Sequence, residues 1–159
     1  MGQVGAPEPL GPQHSIDQFD CGKPPLNRWL FTFALANQAS RTSRTYVVQA
    51  QGRVVGYYSL ATASIERARA HRALRHGEPD PIPAILLGQL AVDLAYSGKG
   101  IGSALLRDAF FRAQRITETI GARLMLLDAI DEEAKQFYLA KGFRQSPMDE
   151  HVLMCTLRI

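Results

Sequence analysis

Apolar and polar positions follow two different periods along this chain, and its elements begin and end where the period changes. Leu26, Trp29, Leu30, Phe33 and Ala34 recur at helical spacing behind Pro24-Pro25. Prolines are accepted at a helix start, where the N–H groups have no helical partner to lose. This predicts an amphipathic helix running to about Gln38. Ala39 to Arg44 is polar and basic and reads as a loop. Thr45 to Ala50 and Val54 to Ala61 are rich in β-branched and aromatic residues, and Gln51-Gly52-Arg53 separates them, which predicts an antiparallel hairpin. Ile65 to His76 is compatible with a helix but basic on several sides, as a surface- or partner-bound helix is. Pro79, Pro81 and Pro83 force an extended connection.

Ala84 to Val92 is nearly all apolar, the pattern of a strand buried on both faces. Gly98, Gly100 and Gly102 follow on alternate positions. A helix is then predicted from Ser103 to about Ile116, with Leu105, Leu106, Ala109, Phe110, Ala113 and Ile116 as its core stripe. Gly121 marks its exit. Arg123 to Ala129 reads as another buried strand. Asp131 is placed to cap a helix from Glu132 to about Lys141, with Gly142 as its stop. His151 to Leu157 reads as a final strand. The order predicts one mixed α/β domain over residues 16–159, with the strand after the glycine turn parallel to the one before it. Residues 1–15 read as a loose tail.

The run from Gln89-Leu90-Ala91-Val92 through Ser97-Gly98-Lys99-Gly100-Ile101-Gly102-Ser103 is where chemistry enters. A strand, a glycine turn and a helix start make an anion site. The first helical turn has unpaired N–H groups and the positive end of the helix dipole, and glycine lets backbone approach a phosphate. The run is neither a P-loop nor G-x-G-x-x-G. Taken alone, it reads first as a turn that caps a helix and binds nothing, and only its context changes that.

Composition changes this picture little. With 159 residues and 46% apolar content, the chain can bury a core. No apolar run approaches the ~20 residues that span a bilayer. The first 13 residues lack the basic start and apolar centre of a signal peptide, so the expected compartment is the cytoplasm. Cys21 and Cys155 form no disulfide framework, and no histidine has metal-ligand spacing, so no metal is expected. Charge is more informative. The net charge is only +3, yet between Asp20 and Glu78 the only acid is Glu66. The same span holds Lys23, Arg28, Arg41, Arg44, Arg53, Arg67, Arg69, Arg72 and Arg75. Arginine's planar fork suits phosphate, so this is the footprint of a polyanion partner, or else a solvated face.

Two features then coincide. Ser97-Gly98-Lys99-Gly100-Ile101-Gly102 follows an apolar strand, and Ala134-Lys135-Gln136-Phe137-Tyr138-Leu139-Ala140-Lys141-Gly142-Phe143 carries an aromatic pair before Gly-Phe. In that order the chain resembles the GNAT N-acetyltransferases. Phe19-Asp20-Cys21-Gly22, Arg44-Thr45-Tyr46-Val47, Val55-Gly56-Tyr57-Tyr58-Ser59-Leu60, and Pro81-Ile82-Pro83 before Leu87-Gly88-Gln89-Leu90-Ala91-Val92-Asp93 are similar to one branch, the acetyltransferase toxins of bacterial toxin–antitoxin pairs. The likeness runs from about Ile16 to the C-terminus. It implies a GNAT fold with a mostly antiparallel sheet and one parallel strand pair. It also implies acetyl-CoA as cofactor and acetylation of the α-amino group on aminoacyl-tRNA, which stops translation. The partners it implies are a small antitoxin of ribbon-helix-helix type and, through the antitoxin alone, operator DNA. Exposed apolar strand edges in the family imply a homodimer.

The resemblance also assigns residues. Backbone from Ser97, Gly98, Lys99, Gly100, Ile101, Gly102 and Ser103 would hold the pyrophosphate, with Gly100 and Gly102 least tolerant of a side chain. Leu90, Ala91 and Val92 would pair with the pantetheine arm. Asp131 and Phe137 would lie beside the cofactor, and Tyr138 would protonate the leaving thiolate, the other reading of a tyrosine one turn before Gly-Phe being plain core. The arginine-rich face, an independent observation that agrees with a tRNA substrate, offers Arg72 and Arg75 as contacts to the tRNA backbone, with Arg41 and Arg44 behind them, and Gln89 would face the same substrate. Gln89 stands where the branch usually has arginine, and Ser97 where the family favours glutamine or arginine. Two other readings remain open at this point: acetylation of a small amine or protein N-terminus, and a non-catalytic CoA-binding module.

Overall fold

The computed structural model describes residues 3–158. Helix α1 spans Pro24–Thr32, with Leu26 and Leu30 buried one turn apart. The predicted single helix breaks at Phe33, where φ is −114°, and resumes as α2, Ala34–Ala39. Strands β2 (Arg44–Ala50) and β3 (Arg53–Ile65) form the expected hairpin. Its turn has positive φ at Gln51 and Gly52, which matches the twist of the flanking strands. β3 runs four residues past Ala61, where the pattern ended it. β4 (Ile82–Val92) leads to α4 (Ile101–Ile116), followed by β5 (Leu124–Asp128) and α5 (Glu132–Ala140). On α4, Leu105, Leu106, Ala109 and Ala113 are buried, while Phe110 and Ile116 are half-buried. A two-residue strand β6 (Arg144–Gln145) precedes β7 (Val152–Thr156).

The segment expected as a loose tail is tied down. Strand β1 (Glu8–Pro9) pairs antiparallel with β2, Glu8 opposite Val47. Leu10 is buried, and its N–H donates to the Thr45 carbonyl at 2.9 Å. Gln38 donates its side-chain N–H to the Leu10 carbonyl and accepts from the Thr45 N–H. His14 is buried too. Its Nδ1 accepts from the Gly11 N–H, so Nε2 carries the proton shared with Glu8 at 2.7 Å. A two-residue strand has no period to read.

The expected basic helix is also replaced. β3 runs to Ile65, a 3-10 turn covers Arg67–Arg69, and a single turn of helix, α3, covers Arg72–Arg75. Ile65 and Ala70 are both core residues, and no regular helix puts positions five apart on one face. His71 opens α3, its Nδ1 accepting from the Ala73 N–H.

The sheet order is β1-β2-β3-β4-β5-β7-β6. β4 and β5 are parallel, and the pairs β1–β2, β2–β3, β5–β7 and β6–β7 are antiparallel. This is the mixed α/β architecture the pattern predicted. The chain makes two compact units. One takes the residues up to Ala61 with Gly88–Ala109, and the other takes Thr62–Leu87 with the residues from Phe110. The first has a core of Leu10, Phe19, Leu26, Leu30, Ala34, Val47, Val54, Tyr57 and Ala91. Tyr57 is fully buried there, stacked on Trp29, with its hydroxyl donating to the Leu26 carbonyl at 2.6 Å. The core of the second is Ile65, Ala70, Ile82, Ala84, Leu124, Leu126, Val152 and Met154.

Candidate active site

The glycine turn is set by what precedes it. β4 pairs with β5 only from Ala84 to Leu86, so its last six residues, Leu87–Val92, run on with no β5 register. Gln89, Leu90 and Val92 are half-buried there, while Ala91 joins the core. Asp93 ends the strand and is 3% exposed. Its carboxylate accepts from the Arg53 guanidinium at 2.9 Å, the Ala95 N–H at 2.9 Å and the Asp20 N–H at 3.1 Å. A buried charge held by three donors fixes the chain's direction at this point. Asp93→Asn should lower stability by about 1.5–3 kcal/mol and raise KM for acetyl-CoA. Urea melts and a cofactor titration check this; wild-type values in both would remove Asp93 from the role.

A 3-10 turn, Leu94–Tyr96, follows, capped by Asp93. Ser97 is exposed and turns its hydroxyl back to the Leu94 carbonyl. Gly98 and Gly100 have φ of +74° and +81°, the left-handed region that L side chains avoid. A Cβ built on either meets no atom of the described residues within 4 Å beyond its two chain neighbours. The cradle is therefore open on the side where a side chain would project. Gly102 lies in the first turn of α4 with no left-handed φ, so the conformational demand falls on Gly98 and Gly100. The first helical bond runs from the Ala104 N–H to the Gly100 carbonyl. The N–H groups of Ile101, Gly102 and Ser103 precede it and have no acceptor within the helix. Lys99 is exposed beside them.

The start of α4 is held against β3. A Cβ on Gly56 would lie 2.9 Å from Val48, 3.1 Å from Leu105 and 3.3 Å from Ile101. The Ile101 side chain therefore anchors the helix, and only its backbone is left for a ligand. Farther along, the Tyr58 hydroxyl donates to Asp108 at 2.5 Å. These contacts fit a pyrophosphate site built of backbone N–H groups on a fixed helix end.

In the other unit, Asp131 caps α5 through the Ala134 N–H at 2.8 Å, as the sequence predicted. Glu132 and Glu133 complement the helix dipole. Gly142 has φ +98° and ends the element. Tyr138 is 7% exposed and meets Phe137 and Phe143 edge-on at 5.1 and 5.4 Å. Burial pushes its phenol well above the usual 10, so it carries its proton at any working pH. Phe137 is half-buried, with the Lys141 ammonium 5.6 Å from its ring centre.

Of the predicted tRNA contacts, Arg41 and Arg44 are exposed in the first unit, Arg41 with φ +64°. Arg72 is exposed in the second. Arg75 is half-buried and donates to the Ala68 and Ala70 carbonyls, so part of its fork braces its own loop. Sequence reasoning missed Asp93, although it ends the stretch singled out. It also missed Glu78, a buried carboxylate that holds Arg123 bidentately at 2.8–3.1 Å and closes the basic loop. Burial raises the thiol pKa of Cys21, and pushes that of Cys155 to about 12, so both stay protonated at neutral pH. Among the described residues no three His, Cys, Asp or Glu side chains converge on a metal-sized site. Nor is any helix there long and apolar enough to cross a membrane.

Comparison with known proteins decides the family. The acetyltransferase (GNAT) domain profile matches residues 41–145. The chain belongs to the GNAT acetyltransferases. A tRNA-acetylating toxin of Mycobacterium tuberculosis (strain ATCC 25618 / H37Rv) is 40% identical over 158 residues, covering 99% of this chain and 95% of the relative. The solved structure of AtaT complexed with acetyl-methionyl-tRNAfMet superposes with a TM-score of 0.88 at 26% identity, covering 97% of this chain and 95% of that one. A tyrosine-to-phenylalanine mutant of AtaT, bound to the C-terminus of the antitoxin AtaR and acetyl-CoA, gives 0.83 at 26% identity, covering 97% and 93%. These likenesses place the GNAT chain described here in the toxin branch.

Proposed function

We propose that this chain is an acetyl-CoA-dependent toxin that acetylates the α-amino group of aminoacyl-tRNA and so blocks translation, with a cognate antitoxin to neutralise it. The observation that carries this reading is the end-to-end match to a tRNA-acetylating toxin, 40% identical over 99% of the chain. The geometry supports it. Left-handed Gly98 and Gly100 open the approach to the N–H groups of Ile101, Gly102 and Ser103, which would bind the pyrophosphate. The Leu90–Val92 backbone, beyond the β5 register, would pair with the pantetheine arm. Ser97 and Lys99 flank the phosphates, and Asp131 and Phe137 would border the cofactor from their own unit. Acetyl-CoA supplies the activated acetyl group as a thioester. Tyr138 donates its hydrogen bond to the departing sulfur, and the acceptor amine, neutral in part near pH 7 because an α-amino group titrates near ~8, needs no strong base. Arg41, Arg44, Arg72, Arg75 and Gln89 would contact the tRNA. We assign the acetyltransferase domain to residues 16–159. The antitoxin is of ribbon-helix-helix type and links the toxin to operator DNA, the toxin is a homodimer, and its site of action is the cytoplasm.

The test is transfer from labelled acetyl-CoA to a total pool of charged tRNA, with deacylated tRNA as control. Label on charged tRNA alone is expected. Label on neither, together with label on a small amine, would sink the reading. Gln89→Arg in the same assay shows whether the glutamine limits the rate.

A further inference from the structure

We infer that Arg144 joins Arg72 and Arg75 around His71 in one phosphate-binding cluster for the RNA backbone. This rests on the aminoacyl-tRNA reading and deepens it. The three arginines lie far apart in sequence, and contacts within one unit bring them together. Arg144 on β6 stands directly opposite Met154 on β7. Directly opposed residues of a strand pair project on the same face. The Met154 sulfur accepts the His71 N–H at 3.4 Å. Arg144 therefore projects on the face that carries His71, the residue that opens the α3 turn. Two residues along, Ser146 is 1% exposed and its hydroxyl donates to the Arg69 carbonyl at 2.6 Å. The end of β6 and the basic loop are thus stitched together on either side of the cluster. His71 itself is held below its usual pKa by burial and by the positive charges of Arg144, Arg72 and Arg75.

Among the described residues no carboxylate forms an ion pair with Arg72 or Arg144. Arg72 and Arg144 are exposed. The nearby carboxylates act elsewhere: Glu78 holds Arg123, Asp80 accepts the Arg67 N–H, Asp149 accepts the His151 N–H, and Glu150 faces His151. Glu66 stands exposed at the start of the loop. Planar guanidinium forks suit phosphate oxygens bidentately, whereas lysines would serve only as point charges. Arg144 also follows Phe143, whose ring packs on Tyr138. Phosphate held here lies on the unit that carries the proposed proton donor.

The experiment measures charged-tRNA binding by the full chain at several salt concentrations. Arg144→Gln should weaken binding about three- to tenfold and reduce the slope of log K against log salt by about 0.9. Arg144→Lys, which keeps the charge, should restore most of the slope. KM for charged tRNA should rise, while kcat, acetyl-CoA affinity and the thermal midpoint stay at wild-type values. Wild-type affinity and slope in Arg144→Gln would overturn the inference. So would a variant that loses antitoxin binding but keeps the tRNA slope, since the surface would then serve a protein. A wild-type chain that neither binds nor acetylates charged tRNA would defeat the functional reading itself, before any variant is made.

Discussion

Tyr138→Phe should cut kcat for acetyl transfer roughly a hundred- to ten-thousand-fold and leave acetyl-CoA affinity unchanged. The substitution removes one oxygen and keeps the ring that Phe137 and Phe143 meet edge-on. Packing is conserved, so stability should move by less than about 1 kcal/mol. What is lost is a donor that burial keeps protonated. The amine loses one proton as it attacks, and the sulfur must gain one as it leaves. In the proposed reading the O–H would help only as charge develops on the sulfur, so kcat and kcat/KM should fall together. The wild-type rate should also show no loss from tyrosine ionisation below pH 10, because the shift is upward from 10.0. Single-turnover transfer measured across pH tests both points. Unchanged kcat in the phenylalanine variant would make Tyr138 a core residue and nothing more.

Gly100→Val should raise the Kd for acetyl-CoA at least tenfold while costing only about 1–2 kcal/mol of stability. The stability cost is the left-handed φ of +81° imposed on a β-branched residue. Beyond its two chain neighbours no atom of the described residues lies within 4 Å of the new Cβ, so the fold itself is not crowded there. The side chain obstructs only what approaches from outside, which in this reading is pyrophosphate. Thermal melts with and without acetyl-CoA separate the two effects. The variant should melt slightly earlier and lose the stabilisation that ligand confers on the wild type. A ligand-induced shift equal to the wild type's would show that phosphate is bound elsewhere.

What could be read from the sequence, and what could not, divides along physical lines. The unit from β4 through the glycine turn to α4 was legible because it combines a continuous apolar run, alternate glycines and a helical stripe. Asp131 and Gly142 were legible because helix caps obey local rules. Phe33 was read as mid-helix because periodicity records which face a residue occupies, not a change of axis. The stretch from Ile65 to His76 reads as a helix in the sequence but is not one, because its backbone groups are drawn off by distant side chains, Ser146 onto the Arg69 carbonyl and Met154 onto the His71 N–H. Asp93 could be seen as a strand end but not as a hub, since Arg53 and Asp20 lie 40 and 73 residues away. Arg144 carries no local signal at all. Its neighbours are set by the β6–β7 register.

The division of the chain into two compact units has a consequence for how this protein can be taken apart. The backbone passes from one unit to the other after Ala61, after Leu87 and after Ala109, and these points fall inside β3, β4 and α4. No crossing lies in a loop. A protease that nicks surface turns therefore finds no cut that frees either half, and recombination between related genes has no neutral junction at which to exchange one. Fragments such as residues 1–61 or 110–159 would each end inside a severed strand or helix. The toxin should be inherited, degraded and engineered as a whole.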